Sequence, residues 1–509
     1  MKNFIFSVSI LFLLTAFADS RQDKKSDSDL EILNRKPNVL FILTDDQRYS
    51  TIHALGNDII KTPNLDKLVQ GGVSFRNAYI MGGSSPAVCS PSRASLFSGL
   101  TLWNLENQGI YGFEISEKYK TLPQVFRENG YETFATGKNE PGREGHFARS
   151  FSAGDKILFR GMTGSQYRLP LSPFSPEGNY SVEKEVIHEG KHSAEIYADA
   201  CIRFLEDQAE KDIPFFAYIA FQTPHDPRQA PERFREMYAD DDMELPASFL
   251  PQHAFDNGML NIRDENLAGF PRSSGEVKKH LADYFAMISH DDHQIGRILE
   301  ALHKSGKLDN TIIIFTSDNG LAVGNHGLMG KQNIYEHSVR VPLVISGPGI
   351  PKGEIRGQLC YIYDIYPTLC ERAGLPIPET VQFKSLNKVL TGRKEVHSKT
   401  LYFAFMSWQR AIRDERFKLI EYCVNGNRYT QLFDLKNDPE EIINLAGSQK
   451  YTRQLYKMRT MLESEKVKQN DGTTTFGFTR KQGEEFWKTY FSVEKTEFPK
   501  FQFPLEKEK

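Results

Sequence analysis

The chain is poor in cysteine: five in 509 residues, too few for a disulfide scaffold and odd in number, so at least one stays unpaired or is used chemically. Beyond the first eighteen residues no apolar run reaches the ~20 residues that a membrane helix needs, which excludes a spanning segment in the remainder. Neither sign of charge dominates. The 63 Lys and Arg against 66 Asp and Glu leave a net charge of −3, with both signs mixed along the chain, so no electrostatic footprint points to nucleic acid or an anionic membrane surface. Internal repeats and low-complexity tracts are also missing.

Residues 1–18, MKNFIFSVSILFLLTAFA, run from Lys2 through an apolar stretch to a small-x-small site, the pattern of a signal peptide. No cysteine adjoins that site, so there is no lipobox. An exported, periplasmic or secreted protein is expected, with residues 19–36 as a flexible polar leader.

Residues 38–43 of "KPNVLFILTDDQ" are, after Asn38, apolar without alternation, as expected of a strand covered on both faces, and the run stops at Asp45 and Asp46. The form recurs in "PFFAYIAFQTPHD", ending at His225 and Asp226, and in "NTIIIFTSDNG", ending at Asp318, Asn319 and Gly320. Open α/β sheets bind ligands beyond the carboxyl ends of such strands. Between them "TLPQVFRENG", with Thr121 as N-cap, "HSAEIYADACIRFLEDQ" and "EVKKHLADYFAMISHDDHQIGRILEALHKSG" carry helical spacing. This alternation predicts an α/β fold, a large, mostly parallel sheet sandwiched by helices. Residues 140–190 and 226–272, rich in Gly, Pro and charge, read as long loops. From about residue 396 short strand-like runs predict an antiparallel sheet, followed by a helix near 447–468 and a surface tail. The expected division is a catalytic domain over 37–395 and a smaller α+β domain over 396–509.

Asp45 and Asp46 are like charges that raise one another's pKa unless a cation intervenes. With Asp318 and Asn319 they make an all-oxygen set suited to a hard cation, Ca²⁺ or Mg²⁺. A helix starts in "CSPSRASLFSG", residues 89–99, with Ser90 as the expected N-cap and Pro91 in the first turn. Cys89 would lie at its N-terminus with Arg93 one turn on, a setting that activates a thiol and favours an anionic substrate.

These motifs resemble the formylglycine-dependent sulfatases of the alkaline phosphatase superfamily over nearly the whole mature chain. C-S-P-S-R-A-S-L-F-S-G is similar to the family signature, with Ser98 where threonine is usual; "TGK" at 136–138, "TPHDP", "FTSDNG" and "GKQNIYEHSVRVPLVISGPG" look like its later motifs. The resemblance implies a large mixed sheet and oxidation of Cys89 by a maturase to formylglycine. The hydrate of that residue is a diol, which releases sulfate by collapsing to the aldehyde and so avoids a second displacement at sulfur. It further implies that Asp45, Asp46, residue 89, Asp318 and Asn319 hold Ca²⁺, that Lys138 and Lys331 bind sulfate oxygens, that Arg93 steadies the diol, and that His225 protonates the leaving oxygen. Where the family has a second histidine, "GKNEPG" offers Glu140 as base, with His146 on the same loop as the alternative.

His290, Asp291, His293, His337, Trp408 and Arg410 are further candidates for the pocket, and an aromatic with an arginine fits a charged sugar. The expected reaction is hydrolysis of a sulfate monoester on a carbohydrate, such as a polysaccharide or glycosaminoglycan fragment. Two alternatives are a phosphoester or phosphonate hydrolase of the same superfamily and a non-catalytic binder of sulfated glycans. Cys201, Cys360, Cys370 and Cys423 are left either paired or reduced and buried.

Overall fold

The computed structural model describes residues 35–105, 115–139, 146–392, 396–425 and 427–471. The expected signal peptide, most of the leader, Glu140 and the terminal tail lie outside the described residues. The strands are β1 (Asn38–Asp45), β2 (Gly72–Tyr79), β3 (Gly82–Gly83), β4 (Glu132–Lys138), β5 (Ala153–Leu158), β6 (Arg168–Leu171), β7 (Val186–Glu189), β8 (Phe215–Pro224), β9 (Thr311–Ser317), β10 (Leu343–Ser346), β11 (Glu354–Tyr361), β12 (Leu401–Phe405), β13 (Gln409–Arg413), β14 (Phe417–Val424) and β15 (Asn427–Asp434). Eight form the large sheet, in the order β11-β2-β10-β9-β1-β8-β4-β5. Only β10 runs antiparallel to its neighbours, β9 and β2.

Every residue of β1, β8 and β9 is buried, because helices cover both faces. Leu40, Ile42, Ala217, Ile219, Ile313 and Phe315 pack with the helices Ser193–Asp207 and Ser274–Lys304. Their alternates Val39, Phe41, Leu43, Phe216, Tyr218 and Ile314 pack with the helices Cys89–Ser98 and Leu122–Glu128. Thr121 caps the latter helix as its sequence predicts, accepting from the Gln124 amide in a capping box. Five strands, β15-β14-β13-β12-β3, form the second sheet, and its Phe403, Ile412 and Leu419 join the same apolar cluster. No helix of the described residues is long and apolar enough to cross a membrane.

Two expectations change. The stretch 140–190 is not only loop: β5 forms one edge of the large sheet and β6 pairs with β7. The β5 sequence AGDKIL is half-buried over its first four residues, and an edge strand of that kind escapes an apolar pattern because charge there discourages further pairing. Among the cysteines, Cys201, Cys360 and Cys370 are buried free thiols and Cys423 is an exposed one.

The order β9-β1-β8-β4 places the carboxyl ends of four consecutive parallel strands side by side. Gly137, just before Lys138, has φ +87, and a Cβ there would lie 2.0 Å from the carbonyl oxygen of Ala220. Only glycine lets β4 approach β8 this closely. Gly137→Ala is expected to destabilise the protein by more than the roughly 1–2 kcal/mol of left-handed strain alone, read as a lower denaturant midpoint by circular dichroism; an unchanged midpoint would show that β4 has room to move.

Candidate active site

Four strand ends supply Asp45 and Asp46 after β1, Lys138 at the end of β4, His225 after β8, and Asp318 and Asn319 after β9. Asp46 turns the chain away from the sheet with φ 72, a conformation that aspartate tolerates better than most residues. Its amide donates to Asp318 Oδ1 at 3.3 Å, which joins the ends of β1 and β9. The helix Cys89–Ser98, with all its residues buried, brings its first turn against them.

That helix begins at Cys89, so the expected cap at Ser90 is corrected: Val88 already has helical angles, and the Ser90 amide donates to Ala87 O in a turn that precedes the helix. The consequence for Cys89 survives, since its side chain still sits at the helix start. Ser92 Oγ donates to the carbonyl of Asp318 at 2.6 Å, docking the helix on β9.

Cys89 Sγ lies 3.3 Å from Asp45 Oδ1, 2.9 Å from Lys331 Nζ and 3.8 Å from Asn319 Nδ2. Burial and the neighbouring Asp45 carboxylate push the thiol well above its ordinary pKa. Both act against the thiolate that the helix start taken alone would favour. The position is lined with hydrogen-bonding groups.

Three carboxylates are matched by three cations. Lys138 Nζ pairs with Asp45, Lys331 Nζ lies 2.5 Å from Asp46 Oδ1, and Arg93 Nε lies 2.7 Å from Asp318 Oδ2. Arg93 also donates to the carbonyl of Lys138 at 2.7 Å. For Asp45, burial opposes ionisation, but Lys138, His225, Arg93 and Lys331 together outweigh it and hold the carboxyl well below the usual range. His225 donates from Nδ1 to the carbonyl of Asp226 at 2.8 Å, which leaves Nε2 facing Asp46 Oδ2 at 3.8 Å.

Ligand atoms of Asp45, Asp46, Cys89 and His225 all lie within 4.8 Å of one another. Among the described residues, two buried atoms beside them lack a hydrogen bond: the acceptor Asn319 Oδ1 and the donor Arg93 Nη2, which is 3.5 Å from Asp45 Oδ2. A carbonyl oxygen with no donor among buried carboxylates fits a hard cation, and a guanidinium nitrogen without a close acceptor fits an anion's oxygen. Asp45, Asp46, Asp318 and Asn319 thus match the donor set of a Ca²⁺ site.

The remaining candidates sit elsewhere. His146 starts the short helix His146–Ser150 with Nδ1 unpartnered, and burial followed by Arg149 depresses its pKa to about 3. Among the described residues no hydrogen bond or ion pair joins it to Cys89. His290 lies against His192 and 3.4 Å from Glu195, Asp291 accepts from Thr223 Oγ1 at 2.6 Å, and His293 packs on Phe234. His337 packs on Tyr335 and His326. Arg410 is held by Asp471 at 2.5 and 3.0 Å, and Trp408 packs on Phe405. Helical periodicity turns His290 and Asp291 inward as packing residues and leaves His293 exposed, and ion pairing takes up the Arg410 guanidinium. Sequence reasoning marked Asp226 at a strand end without giving it a role and missed Arg263 and Asp264; the three surround His225 and Lys331. Arg263 and Asp264 fall in the stretch 226–272, which has no periodicity to signal them.

The family profile described as Sulfatase matches residues 37–375, and that of the N-sulphoglucosamine sulphohydrolase C-terminal region matches residues 324–468. The chain belongs to the sulfatase family. It is a sulfuric ester hydrolase. An arylsulfatase of Clostridium perfringens is 30% identical over 478 residues, covering 86% of this chain and 96% of that protein. An N-acetylglucosamine-6-O-sulfatase of Bacteroides thetaiotaomicron is 25% identical over 517 residues, covering 86% and 88%. In fold, this sulfatase superposes with a TM-score of 0.71 on a protein solved with its substrate D-glucosamine-2-N,6-O-disulfate, at 24% identity over 87% of this chain and 99% of that one. It also superposes on a phosphonate monoester hydrolase of Agrobacterium radiobacter, with a TM-score of 0.67, 25% identity and coverage of 85% and 96%.

Arg93 is fully buried and relies on Asp318 for its closest charge. Asp318→Asn leaves Arg93 with Asp45 at 3.5 Å and is expected to cost about 3–5 kcal/mol, seen as a lower thermal unfolding temperature. A melting curve like that of the parent would mean that the arginine finds solvent or another partner.

Proposed function

We propose that the protein hydrolyses a sulfate monoester on a carbohydrate, with residue 89 matured from cysteine to formylglycine and Ca²⁺ held by Asp45, Asp46, Asp318 and Asn319. The observation that carries this reading is the surrounding of Cys89, a buried side chain touched by a carboxylate and an ammonium group, 3.3 Å from Asp45 and 2.9 Å from Lys331. Such surroundings suit paired hydroxyls better than a thiolate. A formylglycine hydrate supplies a nucleophilic oxygen and a second hydroxyl through which sulfate is released without a further displacement at sulfur, and Ca²⁺ supplies Lewis acidity.

The chain's own residues do the rest. Lys138 and Lys331 bind sulfate oxygens and draw negative charge into the cluster. Arg93, fixed by Asp318 and by the Lys138 carbonyl, offers Nη2 to an oxygen at residue 89. His225, with Nδ1 committed to the Asp226 carbonyl, presents Nε2 for proton transfer to the departing oxygen. Glu140 remains the proposed base for the second hydroxyl. In this reading residues 37–395 carry the chemistry, residues 396–509 form the smaller domain, and the protein is exported after removal of residues 1–18.

The sugar part is supported by the relatives: one is an N-acetylglucosamine-6-O-sulfatase, and a protein of like fold was solved with its substrate D-glucosamine-2-N,6-O-disulfate. The likeness to the phosphonate hydrolase favours a second reading in which phosphorus esters are turned over.

Protein co-produced with a formylglycine-generating maturase is expected to yield a residue-89 peptide lighter than the cysteine form and reactive with hydrazide, and to turn over 4-nitrophenyl sulfate faster than 4-nitrophenyl phosphate. An unmodified peptide in active protein removes the formylglycine; a dominant phosphate activity selects the second reading. Adding Ca²⁺ to chelator-treated protein is expected to raise the unfolding temperature, and Asn319→Ala is expected to diminish that rise. A Ca²⁺ response that survives Asn319→Ala would take this residue out of the site.

A further inference from the structure

Beyond Pro224 and Ser317 the sheet no longer fixes the chain, yet His225 and Lys331 stand on the segments that follow these strands and must hold their positions within tenths of an ångström to act together. The tripeptide Arg263-Asp264-Glu265, in a 3₁₀ turn within the long stretch 226–272, reaches both segments. Arg263 Nη1 and Nη2 lie 2.5 and 3.1 Å from the two oxygens of Asp226, the residue after His225. The same guanidinium donates from Nη2 and Nε to Asp264 Oδ1 at 2.6 and 3.1 Å. Asp264 Oδ2 accepts from Gln332 Nε2 at 2.7 Å, and Gln332 Oε1 accepts from the amide of Lys331 at 3.0 Å. Gln332 Nε2 also lies 3.1 Å from the carbonyl of Pro86, three residues before Cys89.

Glu265 completes the grip. Its Oε2 and Oε1 accept from the amides of Met329 and Gly330, both at 2.9 Å, and Arg272 Nη2 pairs with Oε2 at 2.5 Å. Asp264 and Glu265 are buried, at 5% and 3% exposure, so these charges are sequestered and held by their partners rather than screened by water. Burial raises the Glu265 carboxyl, while Arg272 and the two amides pull it back.

We infer that Arg263, Asp264 and Glu265 form a clamp that positions the proton-transferring histidine segment and the sulfate-binding lysine segment relative to each other. Its two arms act on different steps. Arg263 sets His225 through Asp226, whereas Asp264 and Glu265 set Lys331 through residues 329–332. The inference rests on the roles proposed above for His225 and Lys331, and it makes these three residues positioning residues that need not touch the substrate.

The arms are separable with two substrates that differ in leaving group, 4-nitrophenyl sulfate and phenyl sulfate, on the matured, Ca²⁺-loaded enzyme. Phenolate is the poorer leaving group and depends more on a proton. Arg263→Met is expected to lower kcat on phenyl sulfate about tenfold or more while changing kcat on 4-nitrophenyl sulfate less than about threefold, a partial loss of a general-acid effect. Arg263→Lys recovers part of the loss. Asp264→Asn is expected to raise KM on both substrates together and to leave the ratio of their kcat values unchanged. Equal losses on both substrates with Arg263→Met, or none, overturn the clamp. Should Arg263→Met not fold, Asp226→Asn reads the same arm. Failure of the unaltered enzyme on both substrates falls on the proposed function instead. The clamp is then read from a crystal structure of Arg263→Met, in which a His225 ring still 3.8 Å from Asp46 overturns it and a displaced ring supports it.

Discussion

Burying carboxylates without water is the constraint on which this molecule is organised. Three acids, Asp45, Asp46 and Asp318, sit at adjacent strand ends with almost no exposure, and like charges so placed repel strongly in a medium of low polarity. Arg93, Lys138 and Lys331 meet them one for one. Each of these cations comes from a different segment, so satisfying the charges also specifies how the first turn of the helix Cys89–Ser98, the end of β4 and the chain after β9 come together. The Ca²⁺ proposed above would add positive charge to this set. That is the sign required to attract a sulfate ester.

The same constraint explains why the large sheet is built as it is. Its central strands are covered on both faces by helices, so the only polar outlet for them is at their ends. The neighbouring order β9-β1-β8-β4 then converges four outlets into one place. Close approach is enforced locally by Gly137, whose position beside Ala220 leaves no space for a side chain, and by the interdigitated turn of Asp46 with Asp318. Rigidity in the sheet is thereby handed to the reacting groups. Where the sheet stops, side-chain networks from the irregular stretch 226–272 take over, which gives that stretch a structural task in place of the mobility often associated with long loops.

Residue 89 illustrates how a setting read from the chain changes meaning in three dimensions. A helix start with an arginine one turn on favours a thiolate when considered alone. The folded site adds Asp45 against the sulfur and removes water, and both changes favour the protonated form. Under the proposed maturation, this setting belongs to the precursor of another functional group rather than to a working thiol.

Much was legible from the linear chain. Unbroken apolar runs ending in Asp45, His225 and Asp318 identified buried parallel strands and the end to which the proposed chemistry is assigned, because both faces of such strands must be covered and polar residues are tolerated only past their ends. The N-cap at Thr121 was equally local, and the fold adds the reciprocal Gln124 bond of a capping box. The chain alone did not decide which distant polar groups meet: Arg410 with Asp471, His290 with Glu195, and Arg263 with Asp226 are products of packing between segments remote in sequence. Periodicity and spacing report the face on which a residue lies. Whether its charge is spent on a neighbour or left for a ligand is set by Coulomb and desolvation energies that exist only once the segments have been brought together.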